Sequence, residues 1–80
     1  MNITVFYFAR YREVLGLEQE QVVGDFATVD ELRRHLHDRG DREVLGERNL
    51  MCARNEDLCA LSEPLAEGDQ VAFFPTVTGG

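Results

Sequence analysis

An α+β fold, with a mixed sheet packed on one principal helix, is what this sequence predicts. Three observations carry that prediction. The first strand candidate, "NITVFYFA", and the last, "QVAFFP", are both rich in β-branched and aromatic residues. Between them, "TVDELRRHLHDRG" has apolar residues at helical spacing behind a helix-start signal. At 80 residues the chain has room for one domain, residues 1–80, built around one core.

Alternation in "NITVFYFA" puts Ile3, Val5 and Tyr7 on one face and Thr4, Phe6 and Phe8 on the other. Apolar residues on both faces predict a central strand, or one whose second face meets something else. "ARYREVLG" follows with Tyr11, Val14 and Leu15 at helical spacing. Gly16 suits the left-handed position that ends a helix, so this one is short. "EQEQVV" is dense in polar residues and reads as an edge strand.

The helix signal is strongest at Thr28 and Glu31, which form a capping box in which each side chain can satisfy a free amide of the other. Asp30 and Glu31 suit the positive end of the helix dipole, and Arg39 the negative end. Val29, Leu32 and Leu36 form the buried stripe, and Gly40 is expected to close the helix. "DREVLGE" is a further helical turn. "RNLMCARNEDLCAL" reads as two short strands joined across "NED", and "EPLAEGD" as a loop with Gly68 at a tight turn. In "QVAFFP", Val71 and Phe73 share one face, Ala72 and Phe74 the other, and Pro75 ends the strand. This order fits the ubiquitin-like β-grasp, in which the first and last strands lie side by side mid-sheet and an extended, flexible tail leaves it.

A net charge of −7 disfavours a nucleic-acid partner, since phosphate neutralisation needs clustered cations. A basic protein surface is the better match. No stretch approaches the roughly 20 apolar residues that span a bilayer, and the first residues lack a basic leader. A cytoplasmic protein without a membrane partner is expected. All the basic side chains other than histidine are Arg, and there is no Lys to accept an acyl group from another copy. Cys52 and Cys59 fit neither a C-x-x-C redox pair nor a zinc knuckle, and their apolar neighbours predict buried structural thiols. His35 and His37 point to different sides of the helix, unlike an i, i+4 metal pair. Neither a metal nor a bound cofactor is expected.

The final residues, "PTVTGG", pose the functional question. Fully extended, residues 75–80 reach about 20 Å. Pro75, Thr76, Val77 and Thr78 all favour extended backbone. Gly79 and Gly80 have no Cβ and can enter a channel too narrow for other residues. The stretch is uncharged, so inserting it incurs little desolvation penalty. Its terminal carboxylate is a poor electrophile, most economically activated as an acyl-adenylate. The glycines before the tail are isolated and no phosphate-binding loop is present, so a separate enzyme must supply that step with ATP. Once activated, Gly80 can pass to a lysine or take up sulfur as a thiocarboxylate.

"EGDQVAFFPTVTGG", together with "TVDELRRHL" and the opening "VFYFARYREVLG", resembles the ubiquitin-like sulfur carriers that form the small subunit of molybdopterin synthase. The similarity runs through essentially the whole chain, with Thr76 where the family often has a second proline. Thiamine-pathway carriers share the fold and the Gly-Gly, but are typically shorter and lack the "FFPxVTGG" ending.

The resemblance implies a mechanism. An adenylating activating enzyme uses ATP-Mg to activate the Gly80 carboxylate, and a desulfurase system supplies sulfur to form a thiocarboxylate. The loaded tail, Gly79 included, enters the synthase large subunit and donates sulfur to cyclic pyranopterin monophosphate, after which hydrolysis regenerates the carboxylate. Two loaded carriers serve each dithiolene, in an assembly of two small and two large subunits. The catalytic lysines belong to the large subunit, which makes this the non-catalytic one. The resemblance also implies a partner-facing patch of Phe8, Leu58 and Phe74, continued by residues Pro75, Thr76, Val77 and Thr78. Strand alternation agrees for Phe8 and Phe74 and is neutral for Leu58. The alternatives are a carrier for thiamine synthesis or tRNA thiolation, a ubiquitin-like modifier of target lysines, and a plain interaction module.

Overall fold

The computed structural model describes residues 1–76. Its elements are β1 (Asn2–Tyr7), α1 (Ala9–Leu15), β2 (Gln19–Val23), α2 (Val29–His37), a 3₁₀ turn (Glu43–Gly46), β3 (Met51–Arg54), β4 (Asp57–Cys59) and β5 (Gln70–Phe74). Five strands make one mixed sheet in the order β2-β1-β5-β3-β4. β1 and β5 run parallel at its centre, with Val5 opposite Val71 and Tyr7 opposite Phe73. β2 and β4 form the edges, and every other pairing is antiparallel. This is the ubiquitin-like β-grasp that the element order predicts.

Burial explains the arrangement. Ile3, Val5 and Tyr7 of β1, with Val71 and Phe73 of β5, are fully buried against Val29, Leu32 and Leu36 of α2. Each aliphatic side chain so buried contributes roughly 1.5–3 kcal/mol relative to exposure. Inside α1, Tyr11 is buried and Leu15 half-buried, one turn apart on the inner side. Val14 departs from expectation: it is exposed, because the Tyr11–Leu15 pair takes the narrow inward stripe of so short a helix. Gly16 caps α1 at φ 65°, a conformation that other residues resist.

The start of α2 follows the predicted capping with one shift. Thr28 Oγ1 accepts from the Glu31 amide at 3.2 Å, but the Glu31 carboxylate accepts from Ala27 rather than from Thr28. An isolated bridge between Thr28 and Pro64, and the Leu65 amide donating to the Ala27 carbonyl, hold the incoming chain there. Gly40 does not close the helix. α2 ends at His37 with Asp38 as its cap, and Gly40 lies in the following turn. Arg39 and Gly40 bond back to Leu36 and His37, the tighter three-residue spacing that ends a helix without a glycine.

The hairpin of β3 and β4 turns at Asn55 and Glu56, both at positive φ, and Asp57 already belongs to the strand. The turn is tighter than the expected "NED". Asn55 braces it: its side-chain oxygen accepts from the Gln70 amide, and its Nδ2 donates to Asp69.

Charges drawn inside are paired. Glu20 Oε2 accepts from the Tyr7 hydroxyl at 2.6 Å and from Arg42 Nε and Nη2 at 3.1 and 3.0 Å. Among the described residues no buried side-chain nitrogen or oxygen lacks a partner, as stable interiors require. Cys52 is buried as expected, whereas Cys59, on the edge strand, is only half-buried. Among the described residues no helix is long and apolar enough to cross a membrane.

Candidate functional site

Since odd positions of β1 and β5 face α2, their even positions face outward. Phe6, Ala72 and Phe74 therefore share the outer face with Phe8, which lies just past β1. The antiparallel register extends this face sideways: Ala53 of β3 stands opposite Ala72 on one side and Leu58 of β4 on the other. Small residues form the floor and large ones the walls. The result is an apolar groove of about 330 Å³ lined by Phe6, Phe8, Ala53, Leu58, Ala72 and Phe74, with Glu56 and Gln70 at its polar margin.

The walls face water. Phe8 is 46% exposed and Leu58 69%, while Phe74 is half-buried. Phe6 and Phe8 stack with ring centroids 6.4 Å apart. Contiguous exposed apolar surface of this kind marks an interaction site rather than a core. Of the residues implied by resemblance, Phe8, Leu58 and Phe74 thus come together around one groove. Phe6, Ala53 and Ala72 complete it. Alternation places Phe6 and Ala72 on this face, whereas Ala53 follows only from the β3 register.

The chain leaves the sheet beside this groove. Pro75 is half-buried and Thr76 exposed, with the Thr76 hydroxyl donating to the Asn49 carbonyl. Val77, Thr78, Gly79 and Gly80 lie outside the described residues. Around Thr76 stands a polar cluster comprising Arg10, Glu47, Arg48 and Asn49. The Arg10 guanidinium donates through both terminal nitrogens to Glu47 at 2.9 Å, and the Tyr11 hydroxyl donates to the same carboxylate at 2.8 Å. The Arg10 bonds, then that of Tyr11, hold the Glu47 carboxyl below its ordinary range. Burial first, and the bond to Glu47 second, push the Tyr11 phenol above its own. Tyr11 therefore remains a neutral donor, and the cluster ties α1 to the segment flanking the tail. Nothing in it offers a nucleophile or a poised acid–base pair.

Among the described residues no group of three or more His, Cys, Asp or Glu is placed to hold a metal ion. His35 is exposed on α2 against the ring of Phe26, and His37 lies in the last helical turn.

A relative in Escherichia coli (strain K12), named molybdopterin synthase sulfur carrier subunit, is 44% identical over 80 residues, covering 98% of this chain and 99% of the relative. The crystal structure of small archaeal modifier protein 1 from H. volcanii superposes with a TM-score of 0.77 at 31% identity, covering 95% of this chain and 98% of that one. A chain in the complex of subunits 1 and 2 of molybdopterin-converting factor from Helicobacter pylori 26695 matches along 100% of both chains, with a TM-score of 0.69 at 29% identity. The sequence pattern of the ThiS family matches residues 5–80, from the middle of β1 through the final glycines, and the chain belongs to that family.

Proposed function

We propose that this chain is a sulfur carrier for molybdenum cofactor synthesis, acting as the small, non-catalytic subunit of molybdopterin synthase. The observation that carries this reading is the groove formed by Phe8, Leu58 and Phe74 beside the point where Pro75 and Thr76 leave the sheet. It is supported by the name of the 44%-identical E. coli relative, molybdopterin synthase sulfur carrier subunit. A platform that docks and a tail that reaches are the two parts such a carrier needs. Burying aromatic walls in a partner supplies affinity, and the residues after Pro75 carry Gly80 into the partner's active site.

The chemistry at Gly80 begins with its carboxylate attacking the α-phosphorus of ATP on a separate activating enzyme, releasing pyrophosphate. A persulfide of a desulfurase system then displaces AMP to give an acyl disulfide, and a thiol reductant cleaves its S–S bond, leaving the thiocarboxylate on Gly80 and itself ending in a disulfide. In the large subunit that sulfur attacks cyclic pyranopterin monophosphate, and hydrolysis of the resulting acyl link restores the carboxylate. ATP and Mg²⁺ belong to the activating enzyme, and this chain binds neither between cycles. The setting is the cytoplasm.

A second reading is a protein modifier, favoured by the name of the H. volcanii neighbour, small archaeal modifier protein 1. Both readings need an activated Gly80 and differ in the acceptor. Deleting Gly80, or adding one residue after it, should abolish sulfur transfer in a reconstituted synthase assay. The thermal midpoint should stay within a degree or so, because among the described residues every buried core residue lies at or before Phe73. Retained transfer in either variant refutes the role assigned to that carboxylate, and lysine-linked adducts in cell extract would favour the modifier.

A further inference from the structure

Cys52 and Cys59 have no part in the docking groove or the tail. They are directly opposed across the antiparallel β3–β4 pair, with Sγ atoms 3.7 Å apart. Opposed residues in such a pair have Cα atoms about 4.5–5.5 Å apart, inside the roughly 4.4–6.8 Å range that a disulfide spans. Both thiols point away from the groove: Ala53 and Leu58, the next opposed pair, face outward, so Cys52 and Cys59 face the core side. Cys52 also donates to the Cys59 carbonyl at 3.3 Å, which holds its sulfur close to its neighbour.

We propose that Cys52 and Cys59 form a reversible modification site, closing to an intramolecular disulfide that pins the edge strand β4, and Leu58 with it, to the sheet. The oxidant is a low-molecular-weight disulfide. Half-buried Cys59 loses its proton and attacks one sulfur of that reagent, expelling one thiolate and forming a mixed disulfide. Cys52 then gives up its proton and displaces the second thiolate, forming the Cys52–Cys59 bond. The protein loses two protons and two electrons, and the reagent becomes two thiols.

Burial makes this site slow rather than labile. It pushes the Cys52 thiol up to about 12 and raises that of Cys59 as well, so thiolate is scarce near neutrality. Proximity compensates at the second step, where the attacking sulfur starts 3.7 Å from its target and has only to close from there to bonding distance, about 2 Å. Closing this small loop removes freedom from the unfolded chain. β4 is three residues long and sits at the sheet edge, where strands open most easily.

The test uses the full chain incubated for hours with oxidised glutathione at mildly alkaline pH, followed by intact mass, peptide mapping without reductant and thermal melting. The proposal expects loss of two hydrogens, a Cys52–Cys59 linked peptide, a midpoint raised by about 5 °C or more, and reversal by dithiothreitol. Cys59→Ser should show neither the mass loss nor the rise. If that variant fails to fold, thiol alkylation of the oxidised native chain after denaturation gives the same answer, with no free thiol expected. Two free thiols, an unresolved glutathione adduct or covalent dimers would each overturn the proposal. So would a bond that forms while lowering the midpoint, because the native strands would then have had to move.

Discussion

The amide of Phe8 donates to the carbonyl of Phe73 at 3.2 Å, tying the end of β1 to the end of β5 immediately before the chain departs at Pro75. Phe73 points into the core, fully buried, while Phe74 lines the outer groove with Phe8. One backbone bond therefore fixes both the root of the tail and the aromatic wall beside it. The outer groove and the point where the chain leaves the sheet are held in register by the same two strands.

Phe74→Ala should weaken binding to the molybdopterin synthase large subunit by about 1 kcal/mol or more. The circular dichroism spectrum should not change, since the side chain is outside the core. Calorimetric titration checks this, and unchanged affinity would remove Phe74 from the docking surface.

Thr28→Ala deletes the oxygen that accepts from the Glu31 amide at the start of α2. Such caps are worth about 1 kcal/mol, which for a domain of this size lowers the melting midpoint by roughly 4–8 °C. Thr28→Ser, which keeps the oxygen, should recover most of the loss.

Asp69 couples pH to stability. Burial alone would raise its carboxyl. The bonds it accepts from Arg54, Asn55 and the Ala66 amide outweigh burial and leave it below the ordinary range. A carboxyl lower in the folded than in the unfolded chain stabilises fully above its unfolded value, about 3.9, and loses that contribution as pH falls through the folded one. Denaturant titrations should therefore show stability falling below about pH 4. Asp69→Asn should be less stable at pH 7 and fall less steeply in that acid window.

Most of the fold was legible because its signals are local. Alternation in "NITVFYFA" and "QVAFFP" identified both central strands and assigned the outward aromatics, and Thr28 with Glu31 marked α2. What was not legible depends on register. Leu58 reaches the groove only because Asn55 and Glu56 turn the chain in two residues, a geometry without the usual glycine signal. Ala53 and Ala72 make the groove floor by being small, and size alone carries no pattern. The Glu47 bonds to Arg10 and Tyr11 cross more than thirty residues, and no spacing rule announces such pairs. The opposition of Cys52 and Cys59 was missed for the same reason, since motif spacing says nothing of cross-strand partners.

The most direct test is the mass of the C-terminal peptide after incubating the chain with its activating enzyme, ATP-Mg and a sulfur donor. Sulfur carriage at the terminus predicts exchange of one oxygen for one sulfur, located at Gly80 and removed again when the large subunit and cyclic pyranopterin monophosphate are added. An unaltered terminal peptide, or sulfur found on Cys52 or Cys59 instead, would contradict it.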